Sequence, residues 1–339
     1  MSTVSNISIY QRPLAVEFSR SGLTLVELLV VLTILAVVST IALRSVAQLT
    51  EETRFEANLT QIESIESAVL GENSITGFIG DIGRLPVAVD PGSMMPLQPS
   101  ELWKIESLPS YSIQTPPGDS EVRLGGGWRG PYLDLGFGQS ELVDGYGKDF
   151  LFFEADGDPS ADGETIAIIQ SLGVDQMTGG DGVNADTAAV FEADSNAVLA
   201  GLSASEQSST EDIVVTLVRP NSQNFSDGRG NVLLARVYGP SYAADGTGGV
   251  VTIQQAKFEF DDPVDNPGTP SSVISVTLTL ADLPFGPKVF RAYQIDGPVP
   301  GNEEDLTAVS ATATERISPA TNVTLEGRTD PVTLTLRNF

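Results

Sequence analysis

The chain has 339 residues, 45 acidic against 18 basic, and neither cysteine nor histidine. Without cysteine no disulfide can staple it. Without histidine it lacks the commonest general base, the commonest zinc ligand and every Ser–His or Cys–His nucleophile pair. The net charge of −27 leaves no basic surface to neutralise phosphates, so no nucleic-acid partner is expected. The composition reads as that of a non-enzyme. The hydrophobic share, 41%, is ordinary for a folded protein.

Residues 20 to 43 run Arg-Ser-Gly-Leu-Thr-Leu-Val-Glu-Leu-Leu-Val-Val-Leu-Thr-Ile-Leu-Ala-Val-Val-Ser-Thr-Ile-Ala-Leu. The apolar stretch is about 20 residues, the length that spans a bilayer. It carries one carboxylate, Glu27, near its start. A carboxylate in that position costs roughly 3 kcal/mol on insertion scales, so it marks a function. A secretory signal would be shorter and would end in a small-x-small site, and a plain anchor has no use for Glu27. Arg12 and Arg20 ahead of the run predict a cytoplasmic leader and an exported remainder.

This segment resembles the leader and N-terminal helix of type IV pilins and type II secretion pseudopilins. The resemblance implies cleavage by prepilin peptidase between Gly22 and Leu23 and N-methylation of Leu23. Glu27 then becomes the fifth mature residue, which pairs with the N-terminal amine of a neighbouring subunit during assembly. The family usually begins with phenylalanine, so Leu23 is a departure. The leader, residues 1 to 22, is also long for the family.

Beyond Arg44, apolar residues fall at Phe55, Leu59, Ile62, Ile65 and Val69, a helical spacing. Glu51, Glu52, Glu56, Glu63 and Glu66 mostly take the other face, and Gly71 and Asn73 offer a stop. One helix over about 23 to 70 would be roughly 70 Å long. A transmembrane and amphipathic helix is therefore predicted within residues 23 to 75.

Residues 76 to 196 read as a head. Residues 77 to 86 read as a loop and turn leaving the helix. Gly127-Trp-Arg-Gly-Pro-Tyr-Leu133 and Asp144-Gly-Tyr-Gly-Lys-Asp-Phe150 resemble two pseudopilin segments, the second loosely, and their aromatics read as core. Residues 151 to 153 and 165 to 169 read as strands. Ser171-Leu-Gly-Val-Asp-Gln-Met-Thr-Gly-Gly-Asp-Gly-Val-Asn-Ala-Asp186 resembles the calcium loop of major pseudopilins. The resemblance implies a structural calcium held by Asp175 and Asp186, with Asp181 and the carbonyl of Leu172 as further ligands. Calcium takes six to eight oxygens on a flexible loop, and glycines at 179, 180 and 182 suit that. A second acidic run, Asp156 to Glu164, fails the EF-hand pattern at Ala161 and Ala167 and reads as a surface turn.

Residues 197 to 211 are small and polar and read as a linker. From 212 to 339 eight strands are expected: 213–218, 231–238, 250–260, 273–280, 288–293, 308–314, 322–325 and 331–337. Val276, Leu278 and Leu280 alternate with Thr277 and Thr279, and Val332, Leu334 and Leu336 with Thr333 and Thr335. That period marks half-buried antiparallel strands and a β-sandwich. Asp282 to Tyr293 resembles the turn and strand of prealbumin-like modules of bacterial surfaces.

The whole is expected to be an α+β protein. A long N-terminal helix packs on a small antiparallel sheet, followed by an all-β sandwich domain. The expected function is that of a pseudopilin or pilin-like filament subunit of a type II secretion or type IV pilus system. Its expected partners are prepilin peptidase, other pilin or pseudopilin subunits, and an inner-membrane assembly platform. It would cross the inner membrane once, with a periplasmic head, and enter a periplasmic or surface filament. The alternative is a membrane-delivered surface-binding module whose sandwich recognises a polysaccharide or protein.

Overall fold

A computed structural model describes residues 24–72, 75–90, 92, 97–105, 107–136, 138–192, 209–218, 232–259, 275–295, 314–327 and 329–338. The fold is α+β, with one long apolar N-terminal helix followed by many antiparallel strands. The chain divides into two compact units, residues 1–51 and 52–339.

Helix α1 runs Leu25–Leu70. Within the first unit it is apolar on every side, and its leucines, valines and isoleucines are exposed from Leu25 to Leu49. Among the described residues this is the one helix long and apolar enough to cross a membrane. Thr33, Thr40 and Ser45 turn their hydroxyls back onto the carbonyls of Leu29, Ala36 and Ile41, so their polar groups are satisfied within the helix.

Within the second unit the same helix becomes amphipathic. Asn58, Ile62, Ile65 and Val69 form its buried stripe. Asn58 rather than Leu59 takes the inward position; Leu59 is 39% exposed. The reason is polar. Asn58 donates to Thr187 Oγ1 at 2.7 Å and accepts the Gly145 N–H at 3.2 Å. A Cβ on residue 145 would lie 2.5 Å from the Arg54 carbonyl oxygen, so glycine lets that loop touch the helix.

The head follows. A hairpin of β1 (Gly71–Glu72) and β2 (Ile75–Thr76) ends α1. Residues 78–82, expected as loop, form a short helix, α2 (Phe78–Ile82). Extended Gly77 starts it and left-handed Gly83 closes it by donating to the Ile79 carbonyl, while Phe78, Ile79 and Ile82 are buried. Strands β3 (Ser112–Gln114) and β4 (Leu124–Gly126) make a second hairpin. Strands β5 (Leu151–Phe153), β6 (Ile168–Ser171) and β7 (Thr187–Val190) make an antiparallel sheet in that order. The 127–133 aromatics, expected as core, are half-buried against it: Tyr132 packs edge-on to Phe78 and Trp128, with centroids 5.6 and 6.2 Å away.

The C-terminal region is sandwich-like. Its strands are β8 (Thr210–Val218), β9 (Val232–Tyr242), β10 (Gly248–Glu259), β11 (Ser275–Pro284), β12 (Gly286–Ile295), β13 (Thr314–Ile317), β14 (Thr321–Leu325), β15 (Val332–Thr335) and β16 (Arg337–Asn338). One sheet runs β10-β9-β12-β13-β16 with β14 also on β12; the other runs β11-β8-β15. Seven of the eight expected strands are present, but β15 pairs parallel to β8, Val332 against Val215. Alternation marks a half-buried strand of either direction; here the chain comes from β14 in the facing sheet and enters β8's edge in the same sense as β8. Of the expected linker, residues 197–208 lie outside the described residues, as does most of the expected strand at 308–314.

One hydrophobic core runs from Ile62 and Val69 through Phe78, Phe150 and Ile169 to Leu217, Phe290 and Leu336. Polar ties cross the same ground. Arg84 forks onto Glu101 at 2.7 and 2.8 Å and donates through Nε to the Tyr242 carbonyl at 2.9 Å. Arg291 of β12, 2% exposed, is ion-paired with Asp119 and Glu121 of the head. Tyr293 donates to Asp119 as well and meets the Tyr238 hydroxyl at 2.6 Å.

Arg291→Ala should strand the buried Asp119 carboxylate and destabilise residues 52–339 by about 3–5 kcal/mol. Denaturant midpoints followed by tryptophan fluorescence test this. An unchanged midpoint would show that the pair contributes nothing to cohesion.

Candidate functional site

The start of α1 is built by a local motif. Thr24 is its N-cap and Glu27 the third helical residue. The Thr24 backbone N–H and hydroxyl donate to Glu27 Oε2 at 2.8 and 3.0 Å, and the Glu27 N–H donates to Thr24 Oγ1 at 3.3 Å. This is a reciprocal capping box. It satisfies two donors at the helix start and partners a carboxylate that lies among exposed apolar side chains. Thr-Leu-Val-Glu carries the S/T-x-x-E signature in plain sequence, so Thr24 was legible there beside Glu27. Gly22 and Leu23, the expected cleavage and methylation residues, lie outside the described residues, as does the leader.

The expected metal loop lies between β6 and β7. Asp186 is buried at 4% exposure. Its Oδ2 accepts from Gln170 Nε2 and from the Gly179 N–H, each at 2.9 Å. Its Oδ1 is buried with no hydrogen-bond partner. Asp175 is exposed and caps its own turn, accepting the Met177 N–H at 3.1 Å. Asp181 is exposed and Leu172 half-buried. The backbone closes on Asn184: a Cβ on residue 180 would lie 2.4 Å from its carbonyl oxygen, and one on residue 173 would lie 3.0 Å away. Tyr146 donates to the Val183 carbonyl at 3.0 Å, and Ser171 to Asp144 at 2.8 Å.

These residues fit a calcium ion in part. Asp186 presents an unpaired, buried carboxylate oxygen, the donor chemistry calcium takes. Yet among the described residues no group of three or more acidic side chains stands together as a metal cluster. Asp175, Asp181 and Asp186 are brought to one loop and not to one point. The second acidic run is a turn: Asp156 accepts the Asp158 N–H at 3.0 Å and Glu164 the Ala161 N–H at 2.5 Å.

Asp81 and Lys288 are among the buried charges that went unread in the sequence. Asp81 of α2 accepts from Tyr132 at 3.1 Å, and Arg129 lies 3.0 Å away as an ion pair rather than an aligned hydrogen bond. Lys288 of β12 is fully buried. Neither shows in pattern, because each is a single charge in a segment whose neighbours decide its burial.

Residues 18–43 match the family model of the prokaryotic N-terminal methylation motif. The start of the chain therefore carries a prepilin-type methylation motif. Such a motif implies processing by prepilin peptidase, membrane anchoring and assembly into a pilin-type polymer in general. Two solved structures are similar at a low level. One is a fimbrial assembly protein from Parabacteroides distasonis, with 14% identity, a TM-score of 0.21, and 38% of this chain and 53% of that chain covered. The other, proposed as polysaccharide-binding, is from Bacteroides thetaiotaomicron, with 12% identity, a TM-score of 0.17, and 37% and 46% covered. This chain thus spans about half the length of each. No curated protein matches the chain.

Thr24→Val keeps the shape and removes the hydroxyl of the capping box. In detergent micelles the amides of residues 25–28 should then exchange several-fold faster, with the strands of the second unit unchanged. Equal exchange in the two proteins would mean that the box does not hold the helix start.

Proposed function

We propose that this chain is a pilin-like filament subunit of a type II secretion or type IV pilus system. Prepilin peptidase cuts it between Gly22 and Leu23, Leu23 is methylated, and α1 carries the polymer contacts. The methylation motif on residues 18–43, at the head of a membrane-length helix, carries this reading. Before assembly the protein is held once across the inner membrane with residues 52–339 in the periplasm, and an assembly platform draws it into the filament. Its work is mechanical rather than catalytic.

The capping box supports a role for Glu27. In the lone subunit Thr24 partners the carboxylate. In a filament the new amine of Leu23 on a neighbour is a stronger, charged donor. Exchange of the internal partner for the neighbour's amine fixes the stagger of adjacent helices, since one member left alone in an apolar bundle is costly.

Calcium is proposed as a structural ion of the 171–186 loop. Its support is the unpaired Oδ1 of Asp186. Asp175, Asp181 and the Leu172 carbonyl would complete the shell by closing on the ion.

Intact mass and N-terminal sequencing, with and without the cognate peptidase, test the processing. A new N-terminus at Leu23 with an added methyl is expected; an uncut chain would end the proposal. Glu27→Val should still be cut and inserted but yield few filaments, and normal filament yield would remove the pairing role. For the loop, calcium should raise the melting temperature of the wild type and not of Asp186→Ala. An equal response in both would place the ion elsewhere.

A further inference from the structure

The box at the start of α1 settles where the helix begins. A helix running on toward the N-terminus would need the Thr24 N–H to donate to the carbonyl four residues earlier. That N–H donates instead to Glu27 Oε2 at 2.8 Å. Thr24 Oγ1 takes the Glu27 N–H at 3.3 Å, the bond of an N-cap. The Leu28 N–H reaches the Thr24 carbonyl at 3.1 Å, and the helix proper starts at Leu25. Cap geometry of this kind fixes a helix boundary to the residue.

That boundary falls beside the bond between Gly22 and Leu23, and the methylation motif on residues 18–43 runs through both. Cutting that bond adds water across the Gly22–Leu23 amide. The C–N bond breaks, a carboxylate stays on Gly22 and an amine on Leu23. A peptidase has to reach both sides of the Gly22 carbonyl carbon. Backbone wound into a helical turn must open locally before it can be reached.

The sequence holds a competing start. Ser21-Gly-Leu-Thr24 has a capping serine but no Glu or Gln three residues on, whereas Thr24-Leu-Val-Glu27 has both halves of the box. A helix begun at Ser21 would take residues 22 and 23 as its first two helical residues, with the cut bond inside its first turn. Closing the box at Thr24 selects the later start.

We propose that Thr24 is a positioning residue for leader cleavage: its capping box stops α1 just beyond the Gly22–Leu23 bond and so leaves that bond open to the peptidase. This rests on the reading of the chain as a prepilin peptidase substrate. Thr24 acts through the backbone, and Glu27 supports it as the acceptor of the Thr24 N–H. In Glu27→Val the Thr24 hydroxyl still caps the residue 27 N–H, so the boundary and the cut are kept.

Cleavage kinetics of the full chain in micelles with the cognate peptidase test this. Thr24→Ser and Thr24→Asp both keep an N-cap at that position and should be cut within about twofold of the wild-type kcat/KM. Thr24→Glu adds the same charge as Thr24→Asp, but glutamate is not an N-cap residue, and it completes the capping box from Ser21. Its kcat/KM should fall about five- to tenfold, the effect of one cap on the opening of a turn. Backbone carbon chemical shifts of Gly22 and Leu23 in the uncut chains should turn helical in Thr24→Glu and in no other variant. Equal rates in Thr24→Asp and Thr24→Glu would overturn the proposal, and so would a slowed Thr24→Glu whose Gly22 and Leu23 shifts match the wild type. A wild type that stays uncut would overturn the processing reading itself, a failure distinct from either of these.

Discussion

A single helix must satisfy two solvents, and the rest of the structure follows from where α1 changes between them. Up to Leu49 the exposed surface is mostly apolar, and the hydroxyls of Thr33, Thr40 and Ser45 are bonded back into the helix. From Glu52 one stripe must fit a protein core while the others face water. Asn58 opens that stripe. It makes two hydrogen bonds that a leucine could not, and those bonds fix the helical rotation that puts Ile62, Ile65 and Val69 inward. A rotation by one residue would bury Leu59 and Glu63 instead. Register here is set by a polar group, and the apolar residues follow it.

The second unit is held without covalent staples, and its substitutes are unequal. Apolar burial is continuous from head to C-terminal sheets and supplies most of the driving force. The buried ion pairs of Arg84 and Arg291 add little net stability but specify which surfaces meet, since either partner alone would be an uncompensated charge. Gly80, Gly145 and Gly286 permit backbone contact where a side chain would collide. The head and the sandwich are therefore joined by packing rather than by a tether. The C-terminal strands behave as part of one folded body.

Much of this was legible in sequence. The apolar run with Glu27, the length of α1, and the strict alternation around Val276 and Val332 each reported one physical constraint. What failed to show depended on residues far apart. The direction of β15 is set by where the chain arrives, and alternation is blind to that. Helix α2 forms because Phe78 and Ile82 find a core, although glycines on both sides read as a turn. Asn58 gave no signal of burial, because its partners, Thr187 and Gly145, are far away in sequence. Lys288 gave no signal of burial, because the glycine packed against its stem, Gly239, lies on another strand. The metal-loop resemblance located the carboxylates on one loop but could not gather them.

The parallel pairing of β15 has a consequence for the order of events in folding. Strand β8 lies between β11 and β15, so Val215 has no partner on one side until Val332 has been made. Non-local strands of this kind close late, because the entropy of a long loop must be lost before any contact rewards it. A chain made from its N-terminus thus carries an open β8 edge until residues 332–335 have been added. Beyond β15, Leu336 donates its N–H to the Val218 carbonyl and extends the seal. Until that segment arrives, the edge of β8 is a template for any other extended segment nearby.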